Sequence, residues 1–251
     1  MKRRLRVALL LLTVVGSARL ASAATKIYSG GVLDGNLYTT DSVTAATTLI
    51  GPTGILPYDI AFSPSGQLYG IHNAAALYSI DANTAASTLI GNLERVINGL
   101  EFRANGVLYG SGNNGLYTIN TGTGLASLVG VNGGYFSAGD LAFAPDDSLF
   151  MTTTSNDLVK VNPATGGATL VGAIGFADVF GIDFIGSTLY GITTGGQLLT
   201  ISTATGVGSL VTATNTGFYN GGSSVNPVVP EPASLALLSL GGLLMLLRRR
   251  A

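Results

Sequence analysis

The stretch LYTTDSVTAATTLIG at residues 37–51 decides the fold, because it does not occur only once. Variants return as LYSIDANTAASTLIG from Leu77, LYTINTGTGLASLVG from Leu116, LVKVNPATGGATLVG from Leu158 and LLTISTATGVGSLV from Leu198, at offsets of 40, 39, 42 and 40 residues. A second series is interleaved with the first: DIAFSPSGQLYGI from Asp59, GLEFRANGVLYGS from Gly99, DLAFAPDDSLFMT from Asp140 and GIDFIGSTLYGIT from Gly181. Its landmarks Phe62, Phe102, Phe143 and Phe184 stand 40, 41 and 41 residues apart. Two strings holding one period mark a repeat architecture. Each period contains four short apolar runs, divided by turn chemistry such as Ser63-Pro64-Ser65-Gly66, Ala104-Asn105-Gly106 and Asn162-Pro163-Ala164-Thr165-Gly166. Short runs punctuated by Gly, Pro and Asn are hairpins. Within Leu116–Asn120 apolar and polar positions partly alternate, as they do where the two faces of a sheet differ in burial. Four strands in about forty residues make one blade of a β-propeller. A lone blade leaves both apolar faces wet, so blades have to pack on one another.

Counting sets the number of blades. Residues 26–225 hold 200 positions, five periods of forty. The first copy begins part-way through a blade, with Lys26-Ile27-Tyr28-Ser29 resembling a second strand, and Phe218–Val225 is left over after the fifth outer strand. The simplest closure lets this leftover segment supply the missing inner strand of the first blade, which ties the ends together and removes open sheet edges. Tyr219-Asn220-Gly221-Gly222-Ser223-Ser224 is a poor strand sequence because of its glycines, and an open β-solenoid or another closure is the alternative. The expected fold is all-β: about five four-stranded blades over 24–226, flanked by segments 1–23 and 227–251 of different character.

Those flanks hold most of the positive charge. Only 25 of the 251 residues are charged, where about a quarter is usual in a soluble domain. Lys2, Arg3, Arg4 and Arg6 precede the apolar run Val7–Val15, and Ala21-Ser22-Ala23 then offers a small-residue cleavage site before Ala24. Basic region, short apolar region and A-x-A, in that order, read as a secretory signal peptide for signal peptidase. At the other end the uncharged run Ala233–Leu247 is followed by Arg248, Arg249 and Arg250. Fifteen helical residues reach about 22 Å, short of a bilayer core of about 30 Å unless flanking residues and snorkelling arginines extend the span. Arginines after the span favour a cytoplasmic C-terminus, which places the body across the membrane, where the signal peptide sends it. Between the flanks, Lys26, Arg95, Arg103 and Lys160 face twelve acids, a net −8. Such a body offers no patch for tracking phosphates, which argues against nucleic-acid binding.

The blades resemble secreted bacterial repeat propellers of the pattern "IAFxPxGxLYGI … LYxIDPATGxxTLVG", a resemblance that speaks to fold alone. The tail resembles the PEP-CTERM sorting signal of Gram-negative bacteria, carried by Val229-Pro230-Glu231-Pro232-Ala233-Ser234, the apolar span and the arginine cluster. That resemblance implies an inner-membrane-anchored precursor, recognition by an exosortase near Pro-Glu-Pro, and delivery to the cell surface or matrix. It also implies a structural or adhesive role among exopolysaccharide or surface proteins. Pro230 and Pro232 keep the backbone extended, the form a protease can bind.

Candidates for chemistry are few. The chain has no cysteine, which excludes disulfides, thiolate catalysis and iron–sulfur clusters, and His72 is its one histidine. No GxSxG-like elbow presents a serine to it, so His72 reads as a loop residue. Each full blade carries one inner-strand carboxylate, three residues before the Phe landmark (Asp59, Asp140) or one before it (Glu101, Asp183), and these two positions share a strand face. Were the four to converge on the axis, an oxygen ring of this kind would suit Ca²⁺ or Mg²⁺, and a catalytic version would resemble propeller lactonases. The competing reading is that each acid accepts hydrogen bonds from backbone at a blade junction. Asp146-Asp147 reads as turn chemistry, and Tyr69, Tyr109 and Tyr190, at the blade position that Phe150 also fills, read as packing between blades. The chain is therefore expected to be non-enzymatic and cofactor-free. A metal-dependent hydrolase and a glycan- or protein-binding module are the alternatives.

Overall fold

The computed structural model describes residues 25–31, 33–73, 75–213 and 223–225. They form five four-stranded antiparallel sheets. Blade one contains β1 (Lys26–Gly30), β2 (Asn36–Asp41) and β3 (Thr47–Pro52). Blade two is β4 (Pro57–Phe62), β5 (Leu68–His72), β6 (Ala76–Ile80) and β7 (Ser87–Asn92). Blade three is β8 (Gly99–Phe102), β9 (Leu108–Gly112), β10 (Gly115–Ile119) and β11 (Ala126–Val131). Blade four is β12 (Ser137–Phe143), β13 (Leu149–Thr153), β14 (Asp157–Val161) and β15 (Ala168–Ala173). Blade five is β16 (Val179–Ile185), β17 (Thr188–Thr193), β18 (Gln197–Ile201) and β19 (Gly208–Ala213). The last strand, β20 (Ser223–Val225), is the inner strand of blade one, paired antiparallel with β1 through Ile27↔Val225, Tyr28↔Ser224 and Ser29↔Ser223. The expected closure is the observed one, carried among the described residues by Ser223–Val225 at the end of the glycine-rich stretch.

Inner strands neighbour one another around the ring, β20 to β4, β4 to β8, β8 to β12, β12 to β16 and β16 back to β20. The core lies between blades. Five buried clusters occupy the five junctions; one joins Ala61, Ile71 and Leu77 of blade two to Leu100, Phe102 and Leu108 of blade three. At the closing junction the cluster contains, among the described residues, Ile27, Ala45, Ile192 and Leu198. Ring contacts repeat with the blades: a second-strand aromatic packs on the next blade's inner-strand Phe in Tyr28–Phe62, Tyr69–Phe102, Tyr109–Phe143 and Phe150–Phe184, with centroids 4.9 to 6.0 Å apart. The packing expected for Tyr69 and Tyr109 is thereby located.

Two local features set the geometry. The hairpin between first and second strands needs a left-handed residue, supplied by Gly66, Gly106 and Gly186 in three blades and by Asp147 (φ 70°) in blade four. Ser148 N–H donates to Asp146 Oδ1 at 3.1 Å, so Asp146-Asp147 is turn chemistry as expected. Further out, each outer strand carries a β-bulge opposite the third strand, between Leu37 and Tyr38 in blade one and at equivalent places in the others. Beyond the bulge a glycine meets the next blade's turn. A Cβ on Gly91 would lie 2.1 Å from the Thr123 carbonyl oxygen, and one on Gly130 would lie 1.9 Å from that of Thr165.

Candidate functional site

Register shifts interrupt β4, β12 and β16 in their first halves, and the four acids lie on the inner strands in two layers. Asp59 and Asp140 form the deeper one and have no exposed surface. Ile60 N–H donates to Asp59 Oδ1 at 2.7 Å, and Leu100 N–H of the next blade donates to Oδ2. Asp140 repeats this: Leu141 N–H donates to Oδ1 at 2.7 Å, and Ile182 N–H of blade five to Oδ2 at 2.6 Å. The Asp59 and Asp140 carboxyls lie close enough to influence each other's ionisation. Glu101, half-buried in the second layer, accepts from Phe143 N–H of blade four and from Phe102 N–H. Asp183, nearly buried, accepts from Phe184 N–H at 2.6 Å.

Blades two, three and four thus each send a carboxylate to main chain of the following blade. Glycine alternates with aspartate at the deeper level, and a Cβ on Gly99 would lie 3.2 Å from Asp140 Cα, so the small residue makes room for the adjacent strand. Burial pushes the Asp59 carboxyl well above the usual carboxylate range, against the pull of its N–H donors. Burial also raises Glu101, with repulsion from Asp183 and Asp140 adding to it. Asp59 and Asp140 make the hydrogen bonds across blade junctions that the second sequence reading expects. Among the described residues no three His, Asp or Glu side chains group so as to hold a metal ion.

The acid layers separate two mouths. One, of about 670 Å³, is lined by Phe62, Phe102, Phe143 and Phe184 with Glu101 and Asp183. On its rim Arg103 forms a two-pronged ion pair with Asp147, Nε to Oδ1 at 2.8 Å. The other mouth, about 510 Å³, is lined by Leu33, Leu56, Tyr58, Asn73, Asn98 and Phe180 among others, and Asn98 Oδ1 is buried there without a hydrogen-bond partner among the described residues. Sequence reasoning passed over this mouth, because its residues come from the start of inner strands and from loops, outside the recurring strings. Arg103–Asp147 was equally hidden: it joins turns 44 residues apart, and both read locally as hairpin residues. His72 has a structural duty instead. Leu56 N–H donates to its Nδ1 at 3.0 Å, and its Nε2 lies 2.9 Å from the Asn73 side-chain amide nitrogen.

The cleavage-site alanines Ala21, Ala23 and Ala24, the tail residues Val229, Pro230, Glu231, Pro232 and Ala233, and Arg248, Arg249 and Arg250 lie outside the described residues. For the tail a family comparison speaks: residues 228–250 match the model of the PEP-CTERM protein-sorting motif. The chain carries a PEP-CTERM sorting signal. The signal marks an exported protein addressed to an exosortase, with a C-terminal membrane-anchoring segment, and its Pro-Glu-Pro follows β20 by only a few residues. No curated protein matches the chain in sequence. Solved structures similar to this chain include a chain of the nidogen/laminin complex, with a TM-score of 0.54 and 15% identity over 81% of this chain and 86% of that one. A symmetrical protein from a study of de novo evolutionary emergence gives 0.51 and 21% over 78% and 95%. A gluconolactonase from Xanthomonas campestris gives 0.52 and 13% over 77% and 78%. At these identities the likeness is one of fold.

Proposed function

We propose that this protein is a non-catalytic surface or matrix component, released or displayed after an exosortase processes its tail. The sorting motif at 228–250 is the observation that carries the reading. Signal peptidase and the exosortase are its partners during export, and exopolysaccharide or other surface proteins surround the mature form. A structural or adhesive role is supported by how the axial acids are used. Asp59, Glu101 and Asp140 have main-chain N–H groups of the next blade as partners, so they act as latches between blades and not as ligands or acid–base pairs. Calcium is accordingly not needed for folding, and no rise in unfolding temperature is expected at millimolar calcium; a clear rise would restore the metal reading. The role in sorting is tested by changing Pro230, Glu231 and Pro232 together to alanine in the producing cell. The variant is expected to accumulate at full length in the inner-membrane fraction, while wild type moves to the surface or medium. Equal distribution of the two would overturn the assignment.

A further inference from the structure

The register of β20 fixes where the tail leaves the body. In blades two to five the inner-strand Phe sits opposite the first leucine of the second strand, in Phe62↔Leu68, Phe102↔Leu108, Phe143↔Leu149 and Phe184↔Leu189. Tyr28 packs on Phe62 as Tyr69 packs on Phe102, so Ile27 is the equivalent of Leu68. Its partner Val225 therefore occupies the Phe position, and the chain passes into the tail at the mouth framed by Phe62, Phe102, Phe143 and Phe184. Lys26, the first residue of β1, starts from the same mouth one strand away. The leader and the tail thus join the body on one face, near its axis.

Resting on the reading of the tail as a membrane span, we infer that the tethered precursor holds this Phe-lined mouth against the bilayer and presents the Tyr58–Phe180 mouth outward. Seven residues, Asn226–Pro232, separate β20 from the apolar run that begins at Ala233. Fully extended they reach at most about 25 Å. To bring the opposite mouth to the membrane, the tether would have to cross three strand spacings from the axis to the rim, about 14 Å, and then descend a strand length of about 17–20 Å. That path exceeds the reach before any side chain is cleared. Charge points the same way. The hairpins of the tail face carry Lys26, Arg103 and Lys160 with Asp41, Asp81, Asp146 and Asp147, a net −1. The opposite face carries Arg95 with Asp34, Glu94, Asp157 and Asp178, a net −3, and is the one that anionic lipid would repel more. Exposed apolar side chains on that outward face, Leu33, Val96 and Phe136, are then what the surroundings of the precursor meet.

The absence of native cysteine makes the test direct. Full-length protein is reconstituted in vesicles containing nitroxide-labelled lipid, with one fluorophore on Asn105→Cys at the tail face, Val96→Cys at the opposite face or Thr88→Cys on an outer strand. Flotation with the vesicles checks insertion, and no exosortase is present, so sorting is not at issue. Quenching is expected to be several-fold stronger at position 105 than at 96, with 88 between. Strongest quenching at 96 or at 88 would overturn the orientation. Protein that fails to float would overturn it together with the membrane reading of the tail.

Discussion

Replacing Asp59 by alanine tests the junction latch at its most buried point. The carboxylate has no exposed surface and accepts from Ile60 N–H in its own strand and Leu100 N–H in the next blade. Truncation leaves both donors without a partner in a site closed to water. Each orphaned buried donor costs about 1–3 kcal/mol, so Asp59→Ala should lose roughly 2–6 kcal/mol out of a total stability of about 5–15 kcal/mol. For a domain of this size each kcal/mol moves the midpoint by about 2–4 °C. Asp59→Asn keeps one acceptor and should lose clearly less than Asp59→Ala. The assay is urea unfolding of the mature body at fixed pH, read as a change of midpoint at unchanged slope. If Asp59→Ala stays within about 0.5 kcal/mol of wild type, the latch reading is wrong.

Three more outcomes follow from the same contacts. Asp59 and Glu101 have carboxyls raised by burial, so between the unfolded value of about 4 and the raised folded values the folded chain binds more protons. Stability should therefore fall as pH rises from about 4 and level off above the folded values, while exposed Asp41, Asp81, Asp146 and Asp147, lowered by hydrogen bonds, lose their contribution below about pH 4. Thermal melts should show an optimum near pH 4–5, and a flat profile up to pH 8 would contradict the burial of protonated acids. Gly91→Ala, whose methyl would lie 2.1 Å from a backbone oxygen, should cost about 1–3 kcal/mol, whereas Gly51→Ala, with 3.4 Å of room to the Thr84 oxygen, should be near neutral in calorimetry. Ending the chain at Ala213 removes β20 and opens the ring, so hydrogen exchange should lose protection first in β1, β4 and β16, the neighbours of that strand. Unchanged protection there would mean the ring does not depend on that closure.

The blade count, the closing strand and the aromatic stacking at Tyr69 and Tyr109 were readable because a repeat states its packing five times over. The two acid positions were readable for the same reason, and their common face followed from the two-residue period of a strand. Their partners were not. Whether a carboxylate meets a cation or a main-chain N–H depends on how one blade packs on the next, as in Leu100 N–H on Asp59 and Ile182 N–H on Asp140, and that packing leaves no mark in an alternating pattern. The outer bulges mislead in a similar way. Leu49, Leu89, Leu128, Leu170 and Leu210 look like core residues in their apolar runs, yet each is more than half exposed at the rim. The second mouth leaves no mark in the repeats, because loops between blades differ in sequence even where their positions agree. The tail was read from chemistry of another kind, an ordered motif of prolines, apolar span and arginines, and the family match covers the same residues.

Export and removal of the tail are both measured by the intact mass of the protein recovered from outside the producing cell. It should equal that of a chain starting near Ala24 and lacking about the last twenty residues, with the Pro230/Glu231/Pro232 alanine variant retaining them. Recovery of all 251 residues from the cytosol, or an uncut tail in wild type and variant alike, would contradict it.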